Sequence, residues 1–146
     1  MDIARFRAVV IDTEDARGLA EFYRELVGLR YRPGDEPPAP GEPDPNGGEW
    51  LAMRSPEGVR VSFQQVERMP RATWPEGPVP QMLHLDFMVG SAEQLQEQHA
   101  RALALGATEL RDESSFEEPL YVFADPAGHP FCIFVSPDYA EGDADW

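Results

Sequence analysis

His84-Leu85-Asp86-Phe87-Met88-Val89-Gly90-Ser91 restates, in the second half of the chain, what Ala8-Val9-Val10-Ile11-Asp12-Thr13-Glu14-Asp15 says in the first. Each stretch is an apolar, strand-like run that ends on a residue able to cap a helix, Asp15 or Ser91. With those caps aligned the offset is 76 residues, and Leu19 then falls on Leu95. Further on, Ser55-Pro56-Glu57-Gly58 matches Asp125-Pro126-Ala127-Gly128 at an offset of 70, because the loops between differ in length. A repeat of this size marks one supersecondary unit used twice.

Working outward, residues 6–11 read as a strand. Asp15 starts a helix whose apolar positions Leu19, Phe22, Tyr23, Leu26 and Val27 recur at helical spacing until Gly28 stops it. Residues 29–32 form a short strand, and 33–48, crowded with Pro, Gly and acids, a long flexible loop. Residues 50–54 and 59–66 make a hairpin. The second half repeats this: a strand at 82–89, a helix from Ser91 to about Leu105, a strand at 107–111, and a hairpin of 120–124 with 131–135. Each half is therefore βαβββ. The class is α+β, with helices on one side of a mixed or antiparallel sheet. The expected organisation is one domain over 1–146: module 1 at about 5–68, a Pro-rich connector at 69–81, module 2 at about 82–137, and an acidic tail at 138–146 that is mobile unless Trp146 docks.

Strand parity assigns the faces. Leu83, Leu85, Phe87 and Val89 are uniformly apolar and should pack on the helices, as should Phe131, Ile133 and Val135. His84, Asp86, Met88, Cys132 and Phe134 then share the open face, and the repeat assigns Ala8, Val10, Asp12, Ser62 and Gln64 to the same side in module 1. Two such sheets facing one another would form a cup lined by Ala8, Ser62, Gln64, His84, Asp86, Cys132 and Phe134, with Trp50 and Tyr121 near its rim. Mixed apolar and polar concave surfaces of this kind suit small molecules.

Composition narrows the function. The chain has 146 residues and a formal charge of −15, which argues against nucleic acid and anionic membranes as partners. All twelve basic residues are arginine, so lysine-based Schiff-base, P-loop and general-base chemistries are absent. One cysteine, Cys132, permits no internal disulfide. No apolar run has the roughly 20 residues of a membrane span and no signal-peptide pattern is present, so a cytoplasmic location is expected. Acidity of this degree suits a halophile or a binder of cationic ligands, and charge alone does not separate the two.

Leu19-Ala20-Glu21-Phe22-Tyr23-Arg24-Glu25-Leu26-Val27-Gly28-Leu29 resembles the first-helix motif of the vicinal oxygen chelate superfamily, which includes glyoxalase I, bleomycin-resistance proteins and extradiol dioxygenases. His84-Leu85-Asp86, Leu105-Gly106-Ala107-Thr108 and Asp125-Pro126-Ala127-Gly128-His129-Pro130-Phe131-Cys132 are similar to its glyoxalase-like branch. The resemblance covers nearly the whole chain and implies the cupped, paired-module fold. It also implies metal-ligand slots at Ala8, Ser62, His84 and Cys132. Ala8 cannot ligate and Ser62 is a poor ligand, so the glyoxalase metal set is broken.

These readings give three expectations. The first is a metal-independent protein that holds a small aromatic or cationic molecule in the cup, with Gln64, His84, Asp86, Cys132, Phe134, Trp50 and Tyr121 as ligand-binding residues; an antibiotic-sequestering resistance protein is one form of it. His84 with Asp86 is the best catalytic pair, since an imidazole oriented by a neighbouring carboxylate is suited to general acid–base work. The rival is a lyase, isomerase or dioxygenase using one divalent ion, Zn, Ni, Mn or Fe, on His84 and improvised partners. The third is a structural or regulatory module whose cup its own side chains fill. Uncovered sheet edges, and a stiff connector that could cross a module or reach a neighbouring subunit, lead to the expectation of a homodimer.

Overall fold

Asp15 opens the first helix as the sequence requires: its carboxylate accepts the Gly18 N–H at 2.9 Å, and Ser91 does the same for Gln94 N–H at 3.2 Å in the second. Both helices stop on glycines with positive φ, Gly28 at 72° and Gly106 at 112°, a conformation that strains residues carrying a Cβ. A Cβ at either glycine would lie 3.7 Å from the ring of the hairpin proline of its own module, Pro56 or Pro126. The two modules thus share even this local contact. The structure is a computed structural model and describes residues 1–141; the expectation for Trp146 and the end of the acidic tail lies outside them.

Module 1 runs β1 (Val9–Thr13), α1 (Ala16–Val27), β2 (Arg30–Tyr31), a 3₁₀ turn (Asn46–Gly48), β3 (Trp50–Arg54) and β4 (Arg60–Gln65). Module 2 runs β5 (Leu85–Val89), α2 (Ala92–Leu105), β6 (Thr108–Glu113), β7 (Leu120–Ala124) and β8 (Pro130–Val135), followed by a 3₁₀ turn at Pro137–Glu141. The sheet orders are β1-β4-β3-β2 and β5-β8-β7-β6. In each, the first strand lies parallel to the last and the other pairs are antiparallel. The chain divides into two compact units, Met1–Met69 and Pro70–Trp146. The fold class is the α+β pair of βαβββ modules that the repeat indicated.

Each sheet buries one face beneath its own helix. In module 1, Ile11, Leu51 and Phe63 lie side by side across three strands and all are buried. Tyr23 of α1 stacks on Phe63, with ring centroids 5.8 Å apart. Module 2 packs Phe123 on Phe131 at 5.1 Å, with Leu95 of α2 also fully buried. Burying each such aromatic ring is worth about 1.5–3 kcal/mol relative to leaving it in water.

Three expectations need correction. The first strand is Val9–Thr13, and Phe6 is 85% exposed. Pairing with β4 starts at Val9 opposite Val61, and Val66 N–H still reaches Thr13 O, so the ladder extends past the expected end of the strand. In module 2, β5 starts at Leu85 rather than at residue 82, and Leu83 is 57% exposed instead of packing on the helix. Its ladder begins with Leu85 opposite Phe131, the pair equivalent to Val9 and Val61 in module 1. The loop at 33–48 is also tied down. Arg17 of α1 forks onto Asp44 at 2.8 and 2.9 Å and donates to the Asp35 carbonyl at 2.8 Å. The buried Asp35 carboxylate accepts the Ala52 N–H of β3 at 3.0 Å and the Asn46 amide at 3.2 Å.

Candidate functional site

The open face of the module 2 sheet carries the chemistry. Asp86 of β5 is the direct register partner of Cys132 in β8, and Met88 that of Phe134. Alternation along these strands puts all four on the side away from α2, since Phe131 and Ile133 between them are buried. His84 precedes β5, and its Nε2 lies 3.3 Å from Asp86 Oδ1. The ligand atoms of His84, Asp86 and Cys132 all lie within 4.8 Å of one another. His84 and Asp86 are exposed and Cys132 half-buried.

The electrostatics of Cys132 follow from its position. Burial pushes its thiol up to about 11, and the charge and hydrogen bond of Asp86 add to the effect. At neutral pH the free sulfur is therefore a protonated thiol rather than a nucleophile. Asp86 makes no ion pair with an arginine among the described residues, which leaves an exposed carboxylate beside an imidazole and the aromatic Phe134.

The remaining expected residues fall elsewhere. Gln64 of β4 and Trp50 of β3 are register partners on the open face of the module 1 sheet, and both are exposed. Ser62 on the same face is buried, and Val10 beside it is 41% exposed. Tyr121 is a correction. It pairs with Ile133 and so shares the helix side of its sheet. There it is 4% exposed, stacked on His99 of α2 at 4.1 Å and hydrogen-bonded to Gln96 at 3.1 Å. A ligand on the open face would not meet it. The residue opposite Phe134 in β7 is Leu120, which the 70-residue offset already equates with Trp50. His99 binds Glu109 Oε1 at 2.6 Å as part of this helix packing.

Two βαβββ modules with these sheet orders define the class: an α+β protein of the vicinal oxygen chelate superfamily, the glyoxalase/bleomycin resistance/dioxygenase group. A family model described as a glyoxalase-like domain matches residues 8–134, and the chain belongs to that family. A comparison with curated protein sequences finds no match. Among solved structures, the chain is similar to a glyoxalase/bleomycin resistance protein/dioxygenase family enzyme from Burkholderia phytofirmans PsJN. The TM-score is 0.62 at 18% identity, covering 88% of this chain and 95% of that one. It is similar to a glyoxalase/bleomycin resistance protein from Albidiferax ferrireducens T118 at TM-score 0.58 and 20% identity, covering 90% and 98%. It also matches a genomically encoded fosfomycin resistance protein from Listeria monocytogenes at TM-score 0.66 and 13% identity, covering 92% and 95%. Likeness at these identities establishes the fold. No helix among the described residues is long and apolar enough to cross a membrane.

Proposed function

We propose that the chain is a glyoxalase-like protein that binds a small cationic, partly aromatic molecule on the open face of its second sheet, without a resident catalytic metal. One observation carries this reading: Asp86 is exposed and unpaired with any arginine among the described residues, next to His84 at 3.3 Å and in register with the strand that presents Phe134. Asp86 supplies the charge, His84 a hydrogen-bonding group, and Phe134 with Met88 an apolar platform on which a cationic aromatic rests. The −15 net charge draws cations toward the protein. Any acid–base chemistry would fall to His84, oriented by Asp86.

The metal slots support the same reading. The positions the family uses in module 1 hold Ala8, which has no donor, and Ser62, a weak one. Module 2 keeps His84 but places a thiol, a soft donor, where a carboxylate would serve. A second reading rests on the clustering of His84, Asp86 and Cys132 within 4.8 Å. That nitrogen, oxygen and sulfur set fits zinc better than manganese or magnesium. Bound there, zinc would supply a Lewis acid to a lyase or isomerase reaction.

The experiment is a thermal-shift screen of the EDTA-treated protein with aromatic cations, benzyltrimethylammonium first, beside a zinc titration. Stabilisation by the cation and not by zinc is expected. Stoichiometric zinc stabilisation with no response to any cation would replace this reading with the second. We also propose a homodimer in solution, since β1, β2, β5 and β6 are all edge strands of their own sheets.

A further inference from the structure

Module 1 holds a concavity of about 440 Å³ at the hairpin end of its sheet, the opposite end of the strands from Trp50 and Gln64. Its lining includes Arg7, Arg30, Arg32, Arg54 and Arg60, which are five of the twelve arginines of a chain with 27 acids, yet no acid lines it. Arg32 is neutralised by Asp35 at 3.0 Å. Arg7, Arg30, Arg54 and Arg60 make no ion pair among the described residues.

The register makes this arrangement costly. Arg30 of β2 sits directly opposite Arg54 of β3, and Arg54 directly opposite Arg60 of β4. Like charges in directly opposed positions destabilise a sheet. The guanidinium of Arg60 feels it: the charge of Arg7, then burial, then the charge of Arg54 hold its pKa below the usual arginine range. A row of uncompensated cations across three strands, beside a pocket of ligand size, is the arrangement an anion would relieve.

We propose that this pocket is an anion site for a small phosphorylated molecule, distinct from the open face of module 2. A phosphoryl dianion offers three oxygens to several guanidinium forks at once, whereas a single carboxylate answers one. The remaining lining, with Tyr31 and Met53, leaves room for the body of the molecule. A nucleic acid is a poor occupant, because the rest of this acidic chain would repel it.

The test is calorimetric titration with pyrophosphate in low-salt buffer, on the whole chain and on the double variant Arg54→Gln, Arg60→Gln. Wild type should bind pyrophosphate and gain Tm. The variant should bind at least about tenfold more weakly, since it loses two charge-assisted contacts, while its own ligand-free Tm stays level or rises as the repulsion is relieved. Absence of binding at millimolar pyrophosphate, or unchanged binding in the variant, would overturn the proposal. So would a variant that melts well below wild type, which would make the row structural. Citrate binding more tightly than pyrophosphate would overturn the phosphoryl assignment.

Discussion

Asp86 and Cys132 are direct neighbours across the parallel β5–β8 pair, in the position that Val10 and Ser62 hold across β1–β4 of the other module. The same slot of one repeated unit thus carries a carboxylate and a thiol in one copy, and an aliphatic and a hydroxyl in the other. If the thiol is a protonated, half-buried neighbour of the ligand site, Cys132→Ser should leave affinity for benzyltrimethylammonium within about twofold, at a stability cost of about 1 kcal/mol for the more polar hydroxyl. Calorimetry and urea unfolding read the two effects. Loss of binding would mean that the sulfur itself holds the ligand.

Tyr121→Phe separates the two faces of the module 2 sheet. Its hydroxyl bonds Gln96 beneath α2, so the variant should lose about 1 kcal/mol of stability. Cation binding on the other face should not change. A drop in affinity comparable to that of an open-face variant would contradict the assignment of Tyr121 to the helix side.

Phe63→Ala tests the module 1 core. Phe63 is 0% exposed beneath Tyr23, and truncation there should cost about 3–5 kcal/mol. A loss below about 1 kcal/mol in chemical denaturation would show that the site collapses without a cavity.

The Arg17–Asp44 fork should give module 1 an acid-sensitive increment of stability. The guanidinium of Arg17, through its hydrogen bond, holds the Asp44 carboxyl below its ordinary 3.8. A carboxyl depressed on folding stabilises the native state above its unfolded value, and that contribution disappears as pH falls through the depressed one. Asp44→Ala should therefore be about 0.5–1 kcal/mol less stable at pH 6, as befits a solvent-screened pair. At a pH below both values it should differ far less from wild type. Urea titrations at the two pH values check this; an equal deficit at both would assign the effect to the loop backbone instead.

Assembly has a simple readout. Light scattering at micromolar concentration should return twice the chain mass. A monomer mass that persists on concentration would rule out the dimer.

How much of this was legible in the sequence can be judged position by position. The offsets of 76 and 70 equate Val9↔Val61 with Leu85↔Phe131, and Leu51↔Phe63 with Tyr121↔Ile133, and these are the registers observed. Repeats report topology well because both copies must bury the same face. Strand starts were not legible, because Phe6 and Leu83 are apolar but have no partner strand beside them, and pairing rather than hydrophobicity sets where a ladder begins. Tyr121 was misplaced by its residue type, although the repeat equates it with buried Leu51. The arginine row is not legible in the sequence, because Arg30, Arg54 and Arg60 are scattered there and become neighbours only through strand register.

Asp86 is the anchor of the proposed metal-free cation site. Its most direct measurement is calorimetric titration of benzyltrimethylammonium into EDTA-treated wild type and Asp86→Asn. Binding should be saturable, persist in EDTA and weaken about tenfold or more in the variant, the scale of one charged contact. Binding that needs added zinc, or that Asp86→Asn leaves unchanged, would contradict it.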